Sequence, residues 1–303
     1  MRIEFLMFPG QGAQWVGMGK SWTENHPEVR RCFDEAELVL GYSLREICFG
    51  GPEATLTETQ FCQPALYVLG YGIFKVLEQR GLLKELRYVL GLSLGELTAL
   101  AAAGVFDFAT GLRLVQARAQ RMQKACEETD GGMLCFIGGQ RENVERLCQT
   151  FDVDLSNRNC PGQIVVSGPK ERLEALRKAA QTMGFRRIVP LQVAGAYHSR
   201  LMQKARDGFR KDLEKCSLNR PRYTVLSNVS GTPMDSRGIR QALEEQVVST
   251  ILWEPSLSYL HANGLRYGVE CGSKNILARL AKRTHPDFSI TVLSESEDLD
   301  KNA

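Results

Sequence analysis

This 303-residue sequence has only four histidines, no pair of cysteines spaced as CxxC, and no large excess of charge of either sign. Its nine cysteines are scattered singly from Cys32 to Cys271, so no spacing gathers thiolates around zinc, and no metal site is expected. Their odd number and scatter suit reduced thiols of a cytoplasmic compartment better than a disulfide framework. With 38 basic and 35 acidic residues the formal charge is +3, far from the basic balance that phosphate-backbone binding demands. Nucleic acid is therefore not the expected partner. The opening run Met1-Arg-Ile-Glu-Phe-Leu-Met-Phe-Pro9 is broken by Glu4 and Pro9 and is too short for a signal peptide or a membrane span. No membrane association is expected, and localisation is expected to be cytoplasmic, or in an organelle stroma or matrix if a transit peptide was removed.

The 43% of hydrophobic residues can build a substantial core, and no repeat interrupts an alternation of strands and helices. The fold class is α/β. Residues 3 to 8 form a first strand, and PGQGAQWVGMG, residues 9 to 19, a glycine-rich loop. Helical patterns follow at 27 to 40 and 64 to 80. The segment from Arg87 to Glu96 runs from an apolar strand through a tight turn into the helix LTALAAAG. Residues 131 to 194 then follow a βαββαβ order, the ferredoxin-like split unit. This predicts a small ferredoxin-like subdomain, residues 128–197, inserted into a large α/β-hydrolase-like domain with a parallel sheet, residues 1–127 and 198–303. YTVLSNVSG (223 to 231) and GVECGS (268 to 273) supply later strands, and the acidic tail from Ser294 is expected to fray.

Gly91-Leu-Ser93-Leu-Gly95 fits G-x-S-x-G, in which small flanking residues permit a strained strand-to-helix turn that lifts a serine hydroxyl out of the sheet. The helix start also offers main-chain N–H groups to an oxyanion. The pentapeptide alone equally suits a helix-capping serine. A nucleophilic serine needs a base, and the choice is among His26, His198, His261 and His285. Only His198 lies just past a strand end, where the inserted segment rejoins the main domain, and such crevices are preferred ligand sites. A histidine satisfied by loop hydrogen bonds is the plainer alternative.

Several motifs in order resemble the malonyl-CoA:acyl-carrier-protein transacylases and the acyltransferase domains of polyketide synthases. They are Phe8-Pro-Gly-Gln-Gly-Ala-Gln14, Thr59-Gln-Phe-Cys-Gln-Pro-Ala65, Gly91-Leu-Ser-Leu-Gly-Glu96, Arg118 with Met122, Asn159-Cys-Pro-Gly-Gln163, Gly195-Ala-Tyr-His-Ser-Arg-Leu-Met202, SNVSG (227 to 231) and the stretch from Gln246 to Trp253. The resemblance implies that Ser93 is a nucleophile and His198 its general base, with the N–H groups of Gln11 and Leu94 as oxyanion hole. It implies that Arg118 grips the free carboxylate of a malonyl group, a task suited to a guanidinium fork. Gln63, Leu92, Asn159 and Tyr197 are expected in the pocket. No acidic third triad member stands out, and relatives orient the histidine through a backbone carbonyl, here expected from the segment 246 to 250. Three residue patterns depart from the commoner one: Leu92 where histidine is usual, Tyr197 where phenylalanine is frequent, and Gly272-Ser-Lys-Asn-Ile-Leu277 in place of G-P-G-x-V-L.

The implied function is malonyl transfer from malonyl-CoA to the phosphopantetheine thiol of acyl carrier protein, for fatty acid synthesis. No cofactor is implied, and a monomer is expected. A polyketide acyltransferase acting in trans, an acyl hydrolase, a simple esterase and a silent carrier-binding module are the alternatives. Carrier proteins are acidic, so Lys204, Arg206, Arg210, Lys211, Lys274, Lys282 and Arg283 are candidate docking charges.

Overall fold

Phe5–Phe8, β1, is buried at every position, as a strand covered on both faces requires. The computed structural model, which describes residues 1–272 and 274–302, continues with strands β2 (Tyr88–Gly91), β3 (Gly131–Ile137), β4 (Asp154–Cys160), β5 (Gln163–Pro169), β6 (Arg187–Pro190), β7 (Thr224–Val225), β8 (Ile251–Leu252), β9 (Tyr267–Cys271) and β10 (Ser289–Leu293). One sheet has the order β10-β9-β1-β2-β7, with every pairing parallel. Its register sets Phe8 beside Gly91. The loops that leave β1 and β2 therefore emerge together at the carboxyl edge, where open α/β sheets hold their ligands.

Three helices fix that edge. Leu94–Ala102 is buried along its whole length, its alanines allowing close approach to β1, β2 and the helices Thr59–Gln79 and Phe108–Glu127. Thr59–Gln79 starts five residues before the position expected from the sequence and carries Pro64 within it. Pro27–Leu40 has the expected limits.

The second sheet, β6-β3-β5-β4-β8, contains the βαββαβ segment: β3, helix Arg141–Phe151, β4, β5, helix Lys170–Ala180 and β6. Its helix-facing side has a separate core that includes Phe136, Leu147, Val166 and Leu176. The fifth strand comes from outside that segment, β8 pairing in parallel with β4 through Asn157 and Arg158. The sheet thus continues across the crevice between the two parts of the molecule.

Two expectations need correction. Of residues 223 to 231 only Thr224–Val225 is strand. From Ser227 the chain turns back, Gly231 N–H donating to Ser227 O and Ser227 N–H to Thr232 O. The acidic tail does not fray. Glu297–Asn302 is helical, Leu299 is fully buried, and the Asp298 carboxylate accepts from the N–H groups of Ser294 and Glu295. One buried leucine outweighs the local excess of acid there. In the departing loop 272 to 277, Ser273 lies outside the described residues. Beyond it the buried Glu270 carboxylate accepts from the N–H groups of Ile276, Leu277 and Ala278, which fixes the start of helix Leu277–Thr284.

Among the described residues, no helix is long and apolar enough to cross a membrane.

Candidate active site

Ser93 sits between β2 and helix Leu94–Ala102 at φ 55° and ψ −104°, a conformation that costs a non-glycine residue on the order of 1–3 kcal/mol. The glycines on either side permit it. A Cβ at Gly91 would lie 1.9 Å from the Gly95 carbonyl, and one at Gly95 would lie 2.0 Å from Phe8 O. Asn228, in the turn after β7, holds the strained turn from below: its Oδ1 accepts from Ser93 N–H at 2.7 Å and its Nδ2 donates to Gly91 O at 2.8 Å.

His198, also at positive φ (55°), places Nε2 2.8 Å from Ser93 Oγ. Its Nδ1 lies 2.9 Å from Gln246 O, within the segment where an orienting carbonyl was expected. A carbonyl only accepts, so the ring proton sits on Nδ1 and Nε2 is left bare, able to accept from Ser93 Oγ. Burial first, and then the Arg118 charge, push the His198 pKa down to about 3, against the hydrogen bond to Gln246. The imidazole is neutral near pH 7. The other histidines lie elsewhere: His26 is buried against Trp22, and His261 stacks on His285 at 3.9 Å beside Asp287.

Arg118 is fully buried on the inner stripe of helix Phe108–Glu127, in line with Gly111, Val115 and Met122, whereas Arg113 and Arg121 are exposed. Its Nη1 donates to Gln63 Oε1 at 2.8 Å, and its Nη2 to Gln246 Oε1 at 2.8 Å and to Ser93 Oγ at 3.0 Å. Among the described residues its Nε has no hydrogen-bond partner. Desolvation lowers its pKa to about 10, with Glu96 opposing, so the cation persists at neutral pH. A charge held by three neutral acceptors is under-compensated.

A cavity of about 450 Å³ opens over this group between the two sheets. Ser93, His198, Gln11, Leu94, Gln63, Leu92, Asn159 and Tyr197 all line it, and Met122, Met133, Val165 and Leu280 give it an apolar wall. Arg118 is not a lining residue, but it donates to two that are, Ser93 and Gln63. Among the described residues, neither Gln11 N–H nor Leu94 N–H donates to a protein acceptor. The Gln11 loop runs close to the nucleophile turn because Gly10 has no side chain: a Cβ there would meet Leu92 O at 2.4 Å. Tyr197 Oη bonds Thr59 Oγ1 at 2.7 Å, and Thr59 in turn accepts from Gln11 Nε2 at 3.3 Å. The extra hydroxyl thus ties the pocket wall to that loop. Among the described residues Asn159 Oδ1 has no hydrogen-bond partner. Among the described residues no cluster of histidine, cysteine and acidic side chains could hold a metal ion.

A family model for the acyl transferase domain matches residues 5–292. The chain belongs to the acyl transferase domain family. It is 37% identical over 286 residues to the polyketide biosynthesis malonyl CoA-acyl carrier protein transacylase PksC of Bacillus subtilis, covering 93% of this chain and 96% of that one. To the malonyl CoA-acyl carrier protein transacylase of the same organism it is 33% identical over 305 residues, 99% of this chain and 95% of the other. Among solved structures, the malonyl-transacylase PlMCAT in complex with the holo type II polyketide acyl-carrier protein AntF superposes with a TM-score of 0.94, at 34% identity over 98% of each chain. Within this acyltransferase, three side chains that the sequence did not single out complete the site. They are Asn228 under Ser93, Gln246 between His198 and Arg118, and Glu96, whose carboxylate accepts from Asn228 N–H at 2.6 Å and from Gln246 Nε2. Glu96 and Asn228 stand inside recognisable motifs, but sequence does not distinguish an acid buried at a helix start from one in solvent.

Proposed function

We propose that this acyltransferase moves a malonyl group from malonyl-CoA to the phosphopantetheine thiol of acyl carrier protein through a malonyl ester of Ser93. The single observation that carries the reading is Ser93 Oγ, held between the bare Nε2 of His198 and the guanidinium of Arg118. As Oγ attacks the thioester carbon, its proton passes to His198 Nε2, and the oxyanion meets the free N–H groups of Gln11 and Leu94. The carbon–sulfur bond breaks, the coenzyme A sulfur takes the proton from His198, and the acyl-enzyme remains. The carrier thiol then gives its proton to His198 and attacks the ester, and Ser93 regains the proton as it leaves. The histidine is oriented by Gln246 O, so the catalytic group is a dyad.

Arg118 selects for the acyl carboxylate by exchanging its neutral acceptors for an anion. The carboxylate reaches Nη1 by displacing the Gln63 amide, which covers it on the cavity side. Serine and histidine suffice for transfer between thioesters, so no cofactor is proposed, and one chain supplies every site residue, consistent with an active monomer in the cytoplasm.

The surface charges sort themselves by partner. Lys204 pairs with Glu128, Arg206 with Asp207, and Arg210 with Glu244. Lys211, Lys282 and Arg283 have no carboxylate partner among the described residues; Lys211 lies on helix Gln203–Glu214, whereas Lys282 and Arg283 lie on helix Leu277–Thr284, whose Leu277 and Leu280 line the cavity. With Lys274 the latter two form the proposed docking edge for the acidic carrier. Fatty acid synthesis is the proposed setting. The 37% identity to a polyketide transacylase keeps a second setting, delivery to polyketide carriers.

The test is incubation with malonyl-CoA and holo acyl carrier protein, measuring malonyl-carrier against free malonate. Malonyl-carrier should dominate, and Ser93→Ala should abolish the acyl-enzyme. Free malonate as the main product would make the chain a hydrolase, and acyl-enzyme on Ser93→Ala would remove the nucleophile assignment.

A further inference from the structure

The geometry points to Glu96 as a positioning residue for acyl selectivity: its carboxylate fixes which way the Gln246 amide faces, and so how Arg118 is presented to an incoming carboxylate. This rests on the malonyl-transfer reading above. Glu96 is fully buried, is not one of the residues that line the cavity, and among the described residues makes no direct ion pair with Arg118. Both of its oxygens accept, one from Asn228 N–H and the other from Gln246 Nε2.

An amide has one accepting end and one donating end, and its orientation follows from its neighbours. An ionised carboxylate can only accept, so it draws the Nε2 end of Gln246 to itself. That leaves Nε2 also donating to Ser93 O at 2.8 Å and turns Oε1 toward Arg118 Nη2 at 2.8 Å. If position 96 donated instead, an unrotated amide would face it donor for donor, and a rotated one would set Nε2 against the guanidinium and Oε1 against Ser93 O; either way the acceptor offered to Arg118 is weakened. A direct Glu96–Arg118 ion pair would occupy the fork that the substrate needs. One amide between them keeps the anion close and the fork free.

Protonation of Glu96 gives one of its oxygens a proton to donate and weakens the same hold on the amide. Desolvation raises its pKa to about 7, against the bonds from Asn228 and Gln246 and the Arg118 charge. Of the elements packed on helix Leu94–Ala102, helix Phe108–Glu127 supplies Arg118, the charge that acts on Glu96, while β1, β2 and helix Thr59–Gln79 supply none among the described residues. His198, reached through Gln246, is already neutral there. In this proposal the relay is at full strength above about pH 7 and weakened below it.

The experiment measures kcat/KM for malonyl-CoA and acetyl-CoA, with holo acyl carrier protein, from about pH 5 to about pH 9. Loss of support for the nucleophile turn slows both substrates alike and cancels in their ratio, whereas the orientation of Arg118 does not. In the parent enzyme the malonyl-to-acetyl ratio should rise with pH through about 7. In Glu96→Gln it should fall about tenfold, the loss of one hydrogen bond to a charged group, and become independent of pH. Glu96→Asp, which still only accepts, should keep the inflection. A flat ratio in the parent overturns the proposal without any variant, as does a Glu96→Gln that lowers both rates equally. Absence of malonyl-carrier from the parent at every pH would instead refute the malonyl-transfer reading.

Discussion

Replacing Arg118 by methionine keeps most of the side chain's length and removes its charge, and the structure sets the size of the effect. Burial lowers the Arg118 pKa from 12.5 to about 10. At 1.36 kcal/mol per unit, the free site holds its cation about 3 kcal/mol above the cost of a solvated one. The three acceptors around it, Gln63, Gln246 and Ser93 Oγ, are all neutral and recover only part of that cost. An arriving carboxylate supplies the missing anion and two charge-assisted hydrogen bonds. Removing one partner of such a buried pair costs about 2–5 kcal/mol, so kcat/KM for malonyl-CoA should fall by about 30-fold to several thousand-fold. Acetyl-CoA brings no carboxylate, and its rate should hold or rise by a few-fold. A competition between the two donors for one pool of holo acyl carrier protein, with products resolved by mass spectrometry, reads the ratio directly. If folded Arg118→Met changes that ratio by less than about threefold, the buried guanidinium does not select the acyl group.

Three other outcomes follow from distances and burial. His198 has its folded pKa lowered from 6.5 to about 3, so its ring carbon resonance should not titrate between about pH 5 and about pH 8. The stability tied to that neutral ring is complete above about pH 6.5 and lost as pH falls toward 3, and a titration midpoint near 6.5 would refute the buried neutral dyad. Gly95→Ala should not give folded, active protein, because its Cβ would sit 2.0 Å from Phe8 O; a melting curve and crystal structure like the parent's would contradict that account of the turn. Tyr197→Phe removes one hydrogen bond to Thr59, which Gln11 still contacts. Activity should drop less than about fivefold, on the scale of about 1 kcal/mol, and a much larger loss would mean that the hydroxyl supports the Gln11 loop by more than this contact.

Much of the site could be inferred from neighbours along the chain, because a strand, a turn and a helix start are local events. Gly91, Ser93 and Gly95 announce a turn that admits no other side chain between β2, β1 and the following helix. The βαββαβ rhythm of residues 131 to 194 is likewise local, and its two helices lie where the apolar spacing puts them. Which loop faces Ser93 is set by a different event, the parallel pairing of β1 with β2.

Contacts across long stretches of chain were not legible in this way. Asn228 reaches Ser93 from 135 positions away, and Gln246 reaches Glu96 from 150. Their donors and acceptors match only after these distant parts of the chain have packed together. The fifth strand of the second sheet and the docked helix Glu297–Asn302 have the same origin, in pairing and burial that no local pattern announces. A serine in a glycine turn can be recognised from five residues. Its neutral base, the cation beneath it and the carboxylate behind that cation owe their protonation states to desolvation, which exists only once the chain has folded over them.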